Sequence, residues 1–199
     1  MQDTALTPPQ QIAYDKALKA IEACRRGRDL TLDLGELGLS RLPPEIGQLT
    51  ALTELNLSRN QLSSLPPEIG QLTALTDLDL DGNRLSSLPP EIGQLTALIK
   101  LDLTGNQLSC LPLEIGQLTM LVVLNVSGNR LSQLPPEVGK LTALTVVLAN
   151  DNYFSNLPPE ICQLKKLILL YLDGNRLSHL PPEIGQLSAL MLLYLDATS

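Results

Sequence analysis

Residues 52–74 read LTELNLSRNQLSSLPPEIGQLTA, and residues 75–97 follow with LTDLDLDGNRLSSLPPEIGQLTA. The two stretches share every leucine, one asparagine and the phrase LPPEIGQL, which gives the chain an internal period of 23 residues. A fixed period in the range of about 20–50 residues is typical of a solenoid built from one structural unit per repeat. The phrase LPPEIG or a close variant begins at Leu42, Leu65, Leu88, Leu111, Leu134, Leu157 and Leu180.

Each repeat is too small to bury its own apolar residues. One polar residue separates Leu55 from Leu57, which predicts a short strand with both leucines on its inward face. In the phrase Pro-Pro-Glu-Ile-Gly, each proline restricts its own φ angle, and the glycine that follows leaves the backbone free to turn away. The phrase therefore predicts only a short helical or 3₁₀ turn. Stacking the repeats would cover the aliphatic positions that a single turn leaves open. The recurring asparagine, such as Asn60, is predicted to hydrogen-bond the backbone where the chain leaves the strand.

This combination resembles the leucine-rich repeat, in the 23-residue LPxEIGxLxxL form of intracellular proteins. That form is found in Ras-group-related plant proteins, in scaffold proteins of Ras signalling and in the repeat domains of bacterial Roco proteins. The resemblance covers about residues 29 to 198. It implies an α/β fold, namely a right-handed leucine-rich-repeat solenoid with a concave parallel β-sheet and short convex helical turns. About seven repeats are expected over residues 29–199, the last of them incomplete.

The segment 1–28 precedes the repeats and is predicted to form an N-terminal capping helix. Thr7 and Gln10 fit a capping box, and the helical pattern ends at Gly27. Its apolar side is expected to cover the first, degenerate repeat, where Leu37 replaces the recurring asparagine. A helix that binds a partner is the alternative. The predicted apolar positions are Tyr14, Ala17, Leu18, Ile21 and Cys24.

The chain stops inside a repeat, at residues 190–199, with no polar turn after the last predicted strand. An uncovered strand edge beside leucines favours pairing with a second chain. The pattern indicates either a chain that has lost a C-terminal part or a surface for self-association. A homodimer through the edge strand near Leu190–Leu195 is therefore one expectation.

Composition and charge exclude several classes of partner. The formal net charge is −7, so neither nucleic acid nor an anionic membrane surface is an expected partner. No apolar run reaches the roughly 18 residues of a membrane-spanning helix, and the polar N-terminus has no leader pattern. The three cysteines are an odd number without disulfide or ligand spacing, which suits a reducing compartment. We therefore predict a cytoplasmic protein.

No group of residues in the sequence suggests a catalytic, metal or cofactor site. His179 is the only histidine and is predicted to lie on an exposed turn, so no relay or imidazole pair is available. Gly139 and Lys140 lack the remainder of a phosphate-binding loop. Asp77, Asp79 and the nearby carboxylates alternate along a strand, which favours an electrostatic docking patch over a calcium site. The chain is predicted to be no enzyme and to hold no cofactor.

The residues on either side of each inward leucine are predicted to line up as two outward columns on the concave sheet. The first column is Thr31, Glu54, Asp77, Lys100, Val123, Val146, Leu169 and Leu192. The second column is Asp33, Asn56, Asp79, Asp102, Asn125, Leu148, Tyr171 and Tyr194.

These columns change from acidic to apolar along the chain, which predicts a surface that binds a protein. The acidic half contains Asp77, Asp79 and Asp102. The apolar half contains Val123, Val146, Leu148, Leu169, Tyr171, Leu192 and Tyr194, and is expected to lie in solvent. Large exposed apolar patches usually mark binding sites, and the two tyrosines are the expected anchors. Strand propensity alone, or covering by further sequence, is the competing explanation for the apolar half.

We therefore predict a non-enzymatic module that recognises a protein partner through its concave face. The alternative is a regulatory or dimerising repeat segment of a larger Roco-like GTPase or signalling protein. One repeat departs from the pattern, with Ala149 and Phe154 at positions that elsewhere hold leucine. Phe154 is predicted to fill the space beside Ala149. The close agreement between repeats fits either recent duplication or consensus engineering.

Overall fold

A computed structural model of the chain describes residues 6–195. Helix α1 spans Pro8–Gly27, and short strands then alternate with 3₁₀ helices to the end of the described chain. The strands are β1 (Thr31–Asp33), β2 (Glu54–Asn56), β3 (Asp77–Asp79), β4 (Lys100–Asp102), β5 (Val123–Asn125), β6 (Val146–Leu148), β7 (Leu169–Tyr171) and β8 (Leu192–Tyr194). The 3₁₀ helices are Pro44–Gln48, Pro67–Gln71, Pro90–Gln94, Leu113–Gln117, Pro136–Lys140, Pro159–Gln163 and Pro182–Gln186.

The eight strands within residues 6–195 form one parallel sheet whose order follows the sequence, β1 to β8. Every neighbouring pair is in register at the 23-residue period, for example Leu55 with Leu78 and Leu78 with Leu101. Consecutive parallel strands joined by a 3₁₀ turn make the predicted α/β solenoid, and this prediction is confirmed. The register also explains why one pattern serves every coil, since each side chain packs on its equivalent one period away.

The core is a stack of aliphatic side chains enclosed between the sheet and the 3₁₀ helices. In the coil at residues 52–74, Ile69 and every leucine are buried, including the predicted inward residues Leu55 and Leu57. Phe154 and Ala149 are both fully buried, as expected if the larger ring occupies the space that the smaller side chain leaves. The core therefore runs the length of the stack and is not gathered at one centre.

Each recurring asparagine bonds two coils together, and all of them except the half-buried Asn175 are buried. The Nδ2 amide of Asn106 donates to the carbonyl of Leu103 at 3.0 Å and, one coil earlier, to that of Leu80 at 2.9 Å. Its Oδ1 accepts the backbone N–H of Leu85 at 3.0 Å. In the first coil Leu37 stands at this position and is partly buried against the core, as the repeat alignment predicted. The same pattern of bonds is made by Asn60, Asn83, Asn129, Asn152 and Asn175.

Helix α1 covers the N-terminal end of this stack. It buries Ala13, Ala17, Ile21 and Cys24 and contacts both β1 and the first 3₁₀ helix. Gln10 Oε1 accepts the backbone N–H of Thr7 at 2.9 Å, which completes the predicted N-terminal cap. The predicted capping helix is therefore confirmed over Pro8–Gly27, and residues 1–5 of the predicted segment lie outside the described residues. Its buried face includes Ala13, whereas the predicted positions Tyr14 and Leu18 are only half-buried.

The first five 3₁₀ helices each stack so closely on the next coil that the residue at the contact is a glycine. A Cβ atom at Gly93 would lie 2.7 Å from the carbonyl oxygen of Glu114, inside normal contact distance. This close approach also partly covers two of the glutamates that precede the glycines. Glu45 and Glu137 are half-buried, and each has one carboxylate oxygen that is buried without a hydrogen-bond partner in the described chain.

Candidate functional site

The two predicted columns exist as continuous rows across the concave sheet. The strand registers pair Asp77 with Lys100, Val123 with Val146, and Leu169 with Leu192 in the first column. In the second column they pair Asp79 with Asp102, Leu148 with Tyr171, and Tyr171 with Tyr194. The ten predicted site residues therefore share one face, with the acidic residues on β3 and β4 and the apolar residues on β5 to β8.

The apolar half is less exposed than the sequence predicted. The structure half-buries Val123, Val146, Leu148, Leu169 and Tyr171, so the expectation that they all lie in solvent is wrong. Strands in a sheet lie about 4.8 Å apart, and large side chains of neighbouring coils therefore cover one another. Strand β8 has a neighbour on only one side within the described chain. Two side chains of β8 are accordingly more exposed: Leu192 at 45% and Tyr194 at 40%.

The tyrosines of the second column form a parallel stack. The ring centroids of Tyr171 and Tyr194 lie 4.2 Å apart, and the ring planes are inclined by 2°. A hydrogen bond with Tyr194, followed by desolvation, raises the pKa of Tyr171. Stacked rings restrict each other's rotation, which lowers the entropy lost when a partner packs on them. The pair therefore offers a flat and preorganised apolar surface with two hydroxyl groups.

The acidic half is held in place by hydrogen bonds at the ends of the strands. Asp79 Oδ1 accepts the backbone N–H of Asp81 at 2.9 Å. Asp102 Oδ1 accepts both the backbone N–H and the hydroxyl of Thr104, at 3.0 and 2.6 Å. These bonds restrict the orientation of both carboxylates.

Neighbouring carboxylates influence one another in this half. Burial, followed by the charges of Asp102 and Asp79, raises the pKa of Asp81. A shallow hollow of about 200 Å³ lies between β2, β3 and β4, and Glu54, Asp77 and Lys100 are among its lining residues. The positive charge of Lys100 interrupts the acidic surface at this point. A partner with basic side chains would relieve the repulsion among the carboxylates.

In the part of the chain that the structure describes, the histidine and the cysteines form no site together with the concave columns. His179 is exposed and its Nδ1 lies 2.9 Å from the Ser178 hydroxyl. The thiols of Cys24 and Cys162 are buried, that of Cys110 is exposed, and none forms a disulfide. No helix among residues 6–195 has both the length and the apolar character needed to cross a bilayer. The same residues contain no group of three side chains suited to hold a metal ion.

Sequence reasoning missed one aromatic residue next to the columns. Tyr153 is 46% exposed, and the guanidinium carbon of Arg176 lies 4.5 Å from its ring centroid. Both residues directly follow a recurring asparagine, one coil apart. Aligning the position after each asparagine would have brought them together, but attention to the strand positions alone left them out.

Comparison with protein families supports the repeat assignment. The family model described as leucine rich repeat matches residues 31–85 and 73–131, and a second leucine-rich-repeat model matches residues 166–187. A comparison with curated proteins finds no match. Domains of this family generally mediate interactions between proteins.

Several solved structures have the same fold. A leucine-rich-repeat protein of Leptospira interrogans, LIC12759, is 46% identical with a TM-score of 0.77, over 78% of this chain and 40% of that one. The ectodomain of the Arabidopsis thaliana receptor kinase GASSHO1/SCHENGEN3, in complex with CASPARIAN STRIP INTEGRITY FACTOR 2, is 37% identical with a TM-score of 0.72, over 82% and 20%. A TDR receptor is 32% identical with a TM-score of 0.75, over 84% and 30%. The present chain thus spans less than half the length of each of these proteins.

Proposed function

Because the chain belongs to the leucine-rich-repeat family, we propose that it is a non-enzymatic module that binds a protein partner through its concave face. The observation that carries the proposal is the continuity of the two columns across the sheet. In each column a single residue, Lys100 or Asn125, separates the carboxylates from the apolar side chains that continue to β8. The partner contacts proposed are Asp77, Asp79, Asp102, Val123, Val146, Leu148, Leu169, Tyr171, Leu192 and Tyr194.

The two halves have different roles in this proposal. The carboxylates attract a basic region of the partner and orient it, which mainly affects the rate of association. The apolar half holds the partner, because aromatic side chains in well-packed surfaces contribute much of the energy of an interface. Tyr171 and Tyr194 are the anchors, since their stacked rings present a preorganised aromatic surface on this face. The likeness to a receptor ectodomain crystallised with its partner supports the same general use of the fold.

A pair of variants tests the role of the tyrosines. The double change Tyr171→Ala and Tyr194→Ala should remove a partner captured by proximity labelling in the source cells, while circular dichroism and the melting temperature show a retained fold. The matched control is Leu113→Ala with Met120→Ala, which removes two exposed apolar side chains outside the columns. The control should keep the partner. A partner captured equally by all three proteins would refute the assignment of the anchors.

Self-association at β8 is the second candidate function, and it extends the alternative of a dimerising segment within a larger Roco-like protein. Met191 is 78% exposed and Leu195 is 39% exposed, beside the edge of β8 that has no neighbouring strand within residues 6–195. Light scattering across a range of concentrations should show a rising mass, which Met191→Glu with Leu195→Glu should abolish. A constant monomer mass for the unmodified chain would contradict this candidate.

Location in the cytoplasm is part of the main proposal and is supported by the three unpaired thiols.

A further inference from the structure

A stripe of arginines runs beside the sheet in a chain whose net charge is −7. It is formed by the residue that follows each recurring asparagine, and we call it the edge column. Its members are Gln61, Arg84, Gln107, Arg130, Tyr153 and Arg176. The edge column carries three positive charges and no negative charge. It therefore differs in sign from the acidic half of the concave face and is a separate surface.

The backbone holds the members of the edge column at a regular spacing. The N–H of Arg84 donates to the carbonyl of Leu62, and that of Arg176 donates to the carbonyl of Phe154, both at 2.9 Å. The corresponding bond of Arg130 to Leu108 has the same length. Adjacent coils are separated by about 4.8 Å, as in any sheet. Because the arginines occupy alternate coils, their backbones lie about 10 Å apart.

The arginines of the edge column are exposed and lack acidic partners within residues 6–195. The ion pairs of the described chain join Arg26 with Glu22 and Arg59 with Glu36, and no carboxylate there pairs with an arginine of the edge column. Tyr153 lies between two of these arginines in the edge column. Its ring supports the Arg176 guanidinium at 4.5 Å, which limits the freedom of that side chain.

We propose that the edge column binds an acidic segment of a partner protein, lying extended along the solenoid axis. A chain in the extended polyproline II conformation has three residues per turn and rises about 3.1 Å per residue, so carboxylates at every third residue lie on one face and recur at about 9 Å. That interval is close to the spacing of Arg84, Arg130 and Arg176. The planar guanidinium group accommodates a carboxylate through two parallel hydrogen bonds, which gives the geometry its selectivity. The edge column is distinct from the concave columns, so this inference goes beyond the proposed function and does not depend on it.

A peptide is favoured over nucleic acid as the occupant. A nucleic-acid strand would bring a phosphate at every nucleotide and would extend over the adjoining carboxylates of the sheet, such as Asp79 and Asp102. The protein as a whole would repel such a strand, because its net charge is −7. A peptide can place its charges only at the arginines and remain neutral elsewhere.

Two labelled peptides of identical composition provide the test on the full chain. One contains three Glu-Ser-Gly units, which spaces the glutamates by three residues, and the other groups the same three glutamates together. Fluorescence anisotropy at low salt should show the spaced peptide binding several-fold more tightly than the grouped one. The triple change Arg84→Gln, Arg130→Gln and Arg176→Gln should weaken its binding by about tenfold or more, from three exposed pairs. Tyr153→Ala should weaken it by less.

Matched controls separate this surface from the net charge and from the concave face. The triple change Lys16→Gln, Lys19→Gln and Lys140→Gln alters the net charge equally at exposed sites outside the edge column and should leave binding within about twofold. The Tyr171→Ala and Tyr194→Ala protein should also bind the spaced peptide normally. Equal affinity for the two peptides, an equal loss in both triple variants, or tighter binding of a single-stranded oligonucleotide than of the spaced peptide would each overturn the proposal.

Discussion

At the scale of single residues, the buried asparagines have the clearest physical role. Asn106 bonds three carbonyls and one N–H that belong to two coils. We expect Asn106→Ala to lower the free energy of unfolding by about 2–4 kcal/mol, because these buried groups lose their partners. Asn125→Ala, at a half-buried concave position, should cost less than about 1 kcal/mol. Urea denaturation of both variants measures the difference, and equal losses would contradict the role given to Asn106.

The pair Ala149 and Phe154 offers a second test at this scale. Both side chains are fully buried, so adding atoms at one of them requires space at the other. Ala149→Leu alone should destabilise the chain by about 1–3 kcal/mol through overpacking. Adding Phe154→Leu restores the arrangement of the other coils and should recover most of that loss. A double-mutant cycle in urea measures the coupling, and purely additive effects would show that the two side chains do not share one space.

The position of a residue in its coil was predictable from the 23-residue period, whereas its solvent exposure was less predictable. The spacing of 23 residues placed Asn60 and its equivalents at one point in every coil, and the structure buries all but Asn175 nearly completely. Exposure on the sheet was harder to predict, because it depends on the neighbours in adjacent coils. Leu148 is half-buried and Leu192 is exposed, although both were predicted to point outward from the concave sheet.

At the scale of elements, the glycine in each of the first five 3₁₀ helices limits how closely the coils stack. A Cβ at Gly93 would lie 2.7 Å from the carbonyl oxygen of Glu114, whereas a Cβ at Gly185 would meet nothing within 4 Å. Gly93→Ala should therefore destabilise the chain by about 1–3 kcal/mol. Gly185→Ala should be neutral or stabilising by up to about 1 kcal/mol, because alanine restricts the unfolded chain. Thermal unfolding of the two matched variants measures the contrast, which a similar shift in both would refute.

Cys162 occupies the glycine position of its own coil, and nearby contacts change with it. Its side chain is buried, and Lys165 Nζ donates to the carbonyls of Cys162 and Gln186 at 2.9 and 3.1 Å. In other coils the glutamine equivalent to Gln186 lies over the glycine, as Gln117 does over Gly93. The sequence predicted the turn type correctly from the Pro-Pro-Glu phrase. It did not predict the bonds of Lys165 to Cys162 and Gln186, because the distance between stacked coils cannot be judged from one repeat.

At the scale of the whole molecule, the sequence determines the register and therefore the two concave columns. A one-dimensional stack repeats each local contact, so a correct assignment of one coil extends to all of them. The edge column was not predicted, because its side chains belong to the turns after the strands. Its signal was present in the residue after each asparagine, for example Arg84 and Arg130. The edge column and the acidic half of the concave face therefore carry opposite charges, although the net charge of the chain is negative.

The carboxylates around Asp81 should make the free energy of unfolding depend on pH in a defined direction. The pKa of Asp81 is raised in the folded chain by burial and by the carboxylates of Asp102 and Asp79, so the folded state holds this proton more tightly than the unfolded state. The favourable contribution of the protonated group is complete below the unfolded pKa and is lost as the pH rises through the higher folded value. Asp81→Asn, which mimics the protonated group, should therefore raise the free energy of unfolding at pH 7, and this gain should vanish under acid conditions. Asp15→Asn on α1 is the matched control in urea titrations at several pH values, and a gain at Asp81 that grew toward low pH would reverse the assigned sign.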